Sequence, residues 1–321
     1  MPFGVSAREE KGAGLSPAPF CLIMLTLSRR RALWAYVFIC LPLLLFLFFR
    51  VYPLFQAFYL AFIRWHADPG QQTFVGLDNF RRLFGDLRFL QALRNMGLYM
   101  LLAVPGQVIL GLALALLLNS LPKGRGFFRA VYFLPYITPA VAISWAWSFM
   151  LSPHLGVVNR VLRWLGLPAQ PFLTSPAQAL PTVALIVVWQ YIGFHIVLFL
   201  TALANIPKEL YEAARIDGAS SWNLFRYVTL PLINPTLVLS IVMATGSPTI
   251  GILQLFTQVL NLRFYDPGGP IGSTATVVLY MYQVGFKRFE LGYASAVAVL
   301  LFVTIAVITL IQYKLTARRI D

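Results

Sequence analysis

The apolar residues of this chain are gathered into six blocks, near residues 32–62, 92–118, 130–151, 181–204, 231–258 and 289–313. A helix needs about 20 residues to cross about 30 Å of hydrocarbon, and each block is long enough. Backbone immersed in lipid must satisfy its own hydrogen bonds, which a helix does within one segment. The expected fold is therefore all-α, a polytopic membrane protein with six transmembrane helices. Composition agrees, with 59% hydrophobic and 11% charged residues, where soluble chains carry about 25% charged residues. The first block follows Arg29, Arg30 and Arg31 as the apolar region of a signal peptide would. It is longer than the ~7–15 residues of such a region and lacks a small-residue cleavage site, so it is expected to stay as an anchor. Residues 1–31 read as a disordered tail: they carry Gly, Pro and Ser, and their apolar patch at 19–27 is too short to span. A second reading starts translation at Met24, directly ahead of the three arginines. The membrane domain is expected over 32–321.

A net charge of +14 would suit nucleic acid, but the basic residues lie mostly in short segments between apolar blocks, where membrane anchoring accounts for them. Fourteen Lys and Arg fall in the termini and the even-numbered loops, against ten in the longer odd-numbered set. Positive charge is retained on the cytoplasmic side, so both termini and the loop between the fourth and fifth blocks are expected to be cytoplasmic.

None of the eleven carboxylates falls in the middle of a block, and only Arg50 and His195 are ionisable at that depth. Ion-coupled carriers usually keep an ionisable group there. A stand-alone secondary carrier or channel is thereby disfavoured, though backbone carbonyls can bind sodium. Enzyme readings fare worse. His66, His154 and His195 form no His-Glu-x-x-His pair, no Gly-x-Ser-x-Gly turn occurs, and no phosphate-binding glycine loop ends in Lys-Ser/Thr. Cys21 and Cys40 build no disulfide framework. No catalysis, bound metal or bound cofactor is expected of this chain.

The polar insert at 205–230 carries its own punctuation. Pro207 suits a first helical turn, Lys208 to Ile216 are good helix formers, Gly218 permits a left-handed stop, and Ser220 can cap a second short helix. In that second helix Trp222, Phe225 and Val228 or Thr229 share a face. Three basic and three acidic residues cancel, so a protein partner explains this order better than lipid headgroups. Ala213 and Ala214 admit close approach, and Glu212 offers a charged contact.

At these residues the chain resembles a known family. Glu212-Ala213-Ala214, three residues to Gly218, nine more to Val228 where isoleucine is commoner, then Leu230-Pro231, is similar to the EAA loop of binding-protein-dependent ABC importer permeases. The wording from Ile206 to Ala219 resembles the sugar-importing branch that includes the maltose and glycerol-3-phosphate systems. Similarity extends to Phe74-Val-Gly-Leu-Asp-Asn-Phe80, Arg125-Gly-Phe-Phe-Arg129 and Leu291-Gly-Tyr-Ala-Ser-Ala296. The resemblance implies a type I importer permease in a bacterial or archaeal cytoplasmic membrane. Its implied partners are a second permease, two ATPase subunits that hydrolyse the ATP, and an external solute-binding protein. It also implies that Glu212, Ala213, Ala214, Asp217 and Gly218 form a helix docking on the ATPase.

The fifth block departs from the family wording. Thr257 stands where aspartate is usual, and the glycine-rich turn reads Asp266-Pro-Gly-Gly-Pro270, which bears on substrate rather than on coupling. Gly246, Ser247, Pro248 and Gly251 predict either a broken helix lining a cavity or a packing kink. Gln190, Tyr191 and His195 in the fourth block, with Gln254, Thr257 and Gln258 in the fifth, are expected to face one polar path. A neutral sugar or polyol would satisfy their hydrogen bonds. His195 reads equally as a core residue with its bonds satisfied. Trp145 and Trp147 read as interfacial or packing aromatics, and Arg50 as a snorkelling side chain.

Overall fold

The computed structural model describes residue 32 and residues 34–65, 72–247, 255–262 and 267–317. The tail, the Met24 start, Pro248, Gly251 and Gln254 lie outside the described residues. The chain divides into two units, Met1–Gln56 and Ala57–Asp321. In the first unit runs most of helix α1, Trp34–Leu60, with one π-helical turn at Leu47–Val51 that contains Arg50. Its side chains up to Gln56 are almost all exposed, as those of a lipid-facing helix are.

In the second unit a two-residue ribbon, β1 Ile63–Arg64 against β2 Thr73–Phe74, leads into α2, Asp78–Gly85. Asn79 explains the Gly-Leu-Asp-Asn-Phe wording: buried, its amide donates to the carbonyls of Ala61 and Ile63 at 2.9 and 3.1 Å. Phe80 packs on Phe62. Helix α3, Leu87–Ser120, has 34 residues and is about 50 Å long at 1.5 Å per residue, so it outruns the hydrocarbon. Its packing is most extensive along α7, Pro176–Ala204. The contact is close because Gly111 has no side chain; a Cβ there would sit 2.7 Å from that of His195. On another face of α7, Gly193 abuts the carbonyl of Tyr132, which a Cβ would approach to 2.1 Å. Small residues let helices meet in this way inside a membrane.

The third block is not one straight helix. Helices α4, Arg125–Ile137, and α5, Ala140–Met150, meet at 95°. The cause is local: Pro139 forces Thr138 into extended backbone (ψ 135°). A short helix α6, Val157–Trp164, then leads to α7. The fifth block differs more. After α8, Lys208–Ile216, helices α9, Ser221–Leu232, and α10, Asn234–Gly246, meet at 68°. Helix α10 stops at Gly246, where Ser247 turns extended, and helix resumes as α11, Leu255–Leu262. The span expected over 231–258 is therefore two helices and a segment between them. Helix α12, Val277–Tyr282, precedes α13, Leu291–Ala317. Among the described residues four helices are long and apolar enough to cross a membrane, or six if each bent pair counts as one span.

The end of the bundle where α3 begins is tied by one carboxylate. Asp86 Oδ1 accepts from the backbone amides of Arg88 and Phe89, capping α3. Its Oδ2 accepts from the hydroxyls of Tyr280 and Tyr293. Burial would raise the Asp86 pKa, but the Tyr280 hydroxyl, the Phe89 amide, the Tyr293 hydroxyl and the Arg88 amide hold it below its ordinary value. Tyr280 is pushed up to about 12, by burial first and then by Asp86. Beside them the Arg82 guanidinium lies 4.3 Å over the Tyr293 ring and pairs with Glu290. That contact with Glu290 raises the Arg82 pKa.

Candidate functional site

Two features at the other end and in the middle of the bundle bear on function. The first is the insert at 205–230. Pro207 takes the N-cap position with extended backbone (ψ 134°), one residue ahead of the first helical turn. Helix α8 closes with a Schellman pair: Gly218 N–H donates to Arg215 O at 3.0 Å and Ala219 N–H to Ala214 O at 2.9 Å. Gly218 supplies the left-handed backbone at φ 80°. The Ser220 hydroxyl then accepts from Asn223 N–H and starts α9, whose Trp222 and Phe225 rings lie 5.6 Å apart. Tyr211 on α8 and Thr229 on α9 join hydroxyl to hydroxyl at 3.0 Å, fixing the two helices to each other.

Glu212, Ala213, Asp217 and Gly218 are exposed and Ala214 half-buried. Ile216, which the sequence reading did not single out, is 86% exposed. Leu210 on the same helix is 43% exposed, so two large apolar side chains lie open on a helix that also carries two alanines and the Glu212 carboxylate. Between this helix pair and the end of α3 opens a groove of about 740 Å³, walled by Asn119, Ser120, Lys208, Arg215 and Trp222 among others.

The second feature is a set of polar side chains enclosed among the spans. Gln190 on α7 and Gln258 on α11 come together: Gln258 Nε2 donates to Gln190 Oε1. The Ser144 hydroxyl on α5 donates to Gln258 Oε1 at 2.5 Å. All three are at most 1% exposed. Tyr191 is buried nearby with its ring 6.1 Å from that of Tyr136, and Thr257 is half-buried on α11. Trp147 stacks edge-on against Trp189.

His195 belongs to a different group. Its Nε2 lies 3.0 Å from Gln107 Oε1 on α3 and its Nδ1 2.8 Å from the Ser240 hydroxyl on α10. An amide oxygen can only accept, so Nε2 carries the proton and Nδ1 accepts from Ser240. The sequence reading missed Gln107, Ser144 and Ser240. Nothing about a lone serine or glutamine in an apolar block identifies which helix it will face. Among the described residues no three His, Cys, Asp or Glu side chains gather as metal ligands.

Comparison with known proteins gives these features a context. Residues 107–321 match the family model described as binding-protein-dependent transport system inner membrane component. The chain is 36% identical over 276 residues to the diacetylchitobiose uptake system permease protein NgcF of Streptomyces coelicolor, covering 82% of this chain and 76% of that one. It is 33% identical over 290 residues to the lactose transport system permease protein LacF of Rhizobium radiobacter, covering 88% and 94%. Among solved structures it is similar to a chain of the bacterial alginate ABC transporter in complex with its alginate pentasaccharide-bound periplasmic protein. That likeness has a TM-score of 0.75 and 28% identity, and covers 91% of this chain and 96% of the other.

Proposed function

We propose a function from one premise: the chain belongs to the family of binding-protein-dependent transport system inner membrane components. It is a multi-pass membrane permease of the type I importer fold, not an enzyme. In our reading it forms half of the transmembrane pathway of an ATP-driven carbohydrate importer. A second permease completes the pathway, two ATPase subunits drive it, and an extracytoplasmic solute-binding protein delivers the solute. The relatives' substrates, diacetylchitobiose and lactose, support a small oligosaccharide here, and with no carboxylate in the middle of an apolar block a cationic solute would lack a counter-charge. Both termini and the 205–230 loop face the cytoplasm in this reading.

The observation that carries the proposal is the helix-turn-helix at 207–232, which holds Glu212, Ala213 and Ile216 outward on a helix pinned by its own turn and by Tyr211–Thr229. Closure of the ATPases on nucleotide would draw this helix inward, and the spans joined to it would turn the pathway from one side to the other. Solute shifts that equilibrium only by binding the two states unequally. Gln190, Tyr191, Gln254, Thr257 and Gln258 are our candidates for the solute path. The Gln190–Gln258–Ser144 line is closed upon itself in this state, and a solute's hydroxyls would replace those bonds on opening. The test is Glu212→Lys, which reverses charge at the docking face without touching a span. Membrane insertion should persist while ATPase recovery in pull-downs falls at least tenfold, because losing one partner of a charged contact typically costs a few kcal/mol. Wild-type recovery of the ATPase with normal uptake would refute the docking face.

A further inference from the structure

We propose that Gln107, His195 and Ser240 are positioning residues forming a clamp at the base of the 205–230 loop, so that α3, α7 and α10 follow the loop as one body. The proposal rests on the importer reading and deepens it. Helices α7 and α10 are the two spans that flank the loop. His195 lies nine residues before the end of α7 at Ala204 and Ser240 six after the start of α10 at Asn234, so the clamp sits about 9–14 Å into the two helices at 1.5 Å per residue. Through its two ring nitrogens His195 joins Ser240 on one flanking span and Gln107 on α3. All three side chains are wholly enclosed, so no water competes for these bonds, and breaking one leaves a buried polar group unpaired.

Between clamp and loop the packing is continuous. Phe199, Leu203, Ile206 and Ile233 pack with Leu112 and Ala115 of α3, and Tyr211 and Phe225 of the loop helices rest against them. Ile233, fully buried, occupies the 68° bend between α9 and α10. A bend is a natural hinge. Further along, α10 is also joined to α13, where Gln312 Nε2 donates to the Thr245 hydroxyl at 3.1 Å. Released from His195, α10 would swing at Ile233 with α13 instead of moving with α3 and α7. The ring is well chosen for this task, since one side chain that donates on one edge and accepts on the other ties three helices together.

The experiment uses the complete complex with its ATPase in lipid vesicles. The permease carries nitroxide labels at Leu101→Cys on α3 and Leu239→Cys on α10, both exposed positions, in a Cys21→Ser, Cys40→Ser background. Distances are compared between the nucleotide-free complex and the complex trapped with ATP and vanadate. With the clamp intact the α3–α10 distance should be narrow and the same in both states. In His195→Ala it should shift by several ångströms or broaden on trapping, and His195→Gln, which can donate to Gln107 and accept from Ser240, should restore the narrow distance. Ser240→Ala and Gln107→Leu, which nearly preserve volume, give the same reading if His195→Ala does not assemble. The clamp is overturned if the wild-type distance changes on trapping, or if the three disrupting variants keep it constant. A complex that hydrolyses no ATP would instead overturn the importer reading, and the clamp with it.

Discussion

At the scale of single residues, the polar side chains of the spans were legible as a class but not as groups. Gln190 and His195 stand five residues apart, which places them about 140° apart around a helix of 3.6 residues per turn. They therefore face different neighbours, Gln258 in one case and Gln107 with Ser240 in the other. Those partners lie on other helices, and no spacing within one block reports them. Asp86 was equally silent in the sequence, one carboxylate in a long loop, yet it caps α3 and holds two tyrosine hydroxyls. Asp86→Ala should destabilise the solubilised protein by about 1–3 kcal/mol, the sum of a lost cap and unpaired hydroxyls, read by chemical denaturation. Because the folded pKa of Asp86 is depressed, its ionisation contributes stability above the unfolded pKa of about 3.9. That contribution is lost as pH falls through the lower folded value. Stability should thus be insensitive to Asp86 from neutral pH down to about 5, with the loss confined to stronger acid. A titration showing the loss near neutral pH would contradict this.

At the scale of elements, what was legible was local. The helix, turn and helix of the 205–230 loop follow from caps and a left-handed glycine that act within a few residues. Gly218 and Ser220 take the roles expected of them, while Pro207, expected in the first turn, stands one residue ahead of it at the N-cap. Gly218→Val tests that logic. A β-branched residue at φ 80° is strained by about 1–3 kcal/mol, so α8 should lose its fixed angle to α9, and ATPase recovery should drop with no change in membrane insertion. Normal recovery would show that the turn does not orient the docking helix. The bends were less legible. The break at Pro139 has a local cause, but a proline in an apolar block predicts a kink without its size, and at 95° one half packs against α7 and the other against α11. The short helices α2, α6 and α12 and the β1–β2 ribbon lay in segments with no apolar period long enough to announce them. Asn79, Asn95 and Gln91 settle that end of the bundle by bonding to backbone carbonyls far away in sequence.

At the scale of the whole molecule, the apolar blocks anticipate the membrane-crossing elements because lipid allows so few backbone solutions. Their orientation rests on the distribution of Lys and Arg. A single cysteine at Ser221, exposed on the loop, in the Cys21→Ser, Cys40→Ser background should react with an impermeant maleimide only after the membrane is opened; reaction in intact cells would invert the topology. As an importer subunit, this chain should move solute only when a separate ATPase drives it. Reconstitution tests that claim most directly, with vesicles containing the chain alone or the chain with its ATPase, second permease and binding protein, offered labelled lactose and diacetylchitobiose. ATP-dependent uptake is expected from the full set, and none from the chain alone under any proton or sodium gradient. Uptake by the isolated chain, driven by an ion gradient and indifferent to ATP, would contradict it.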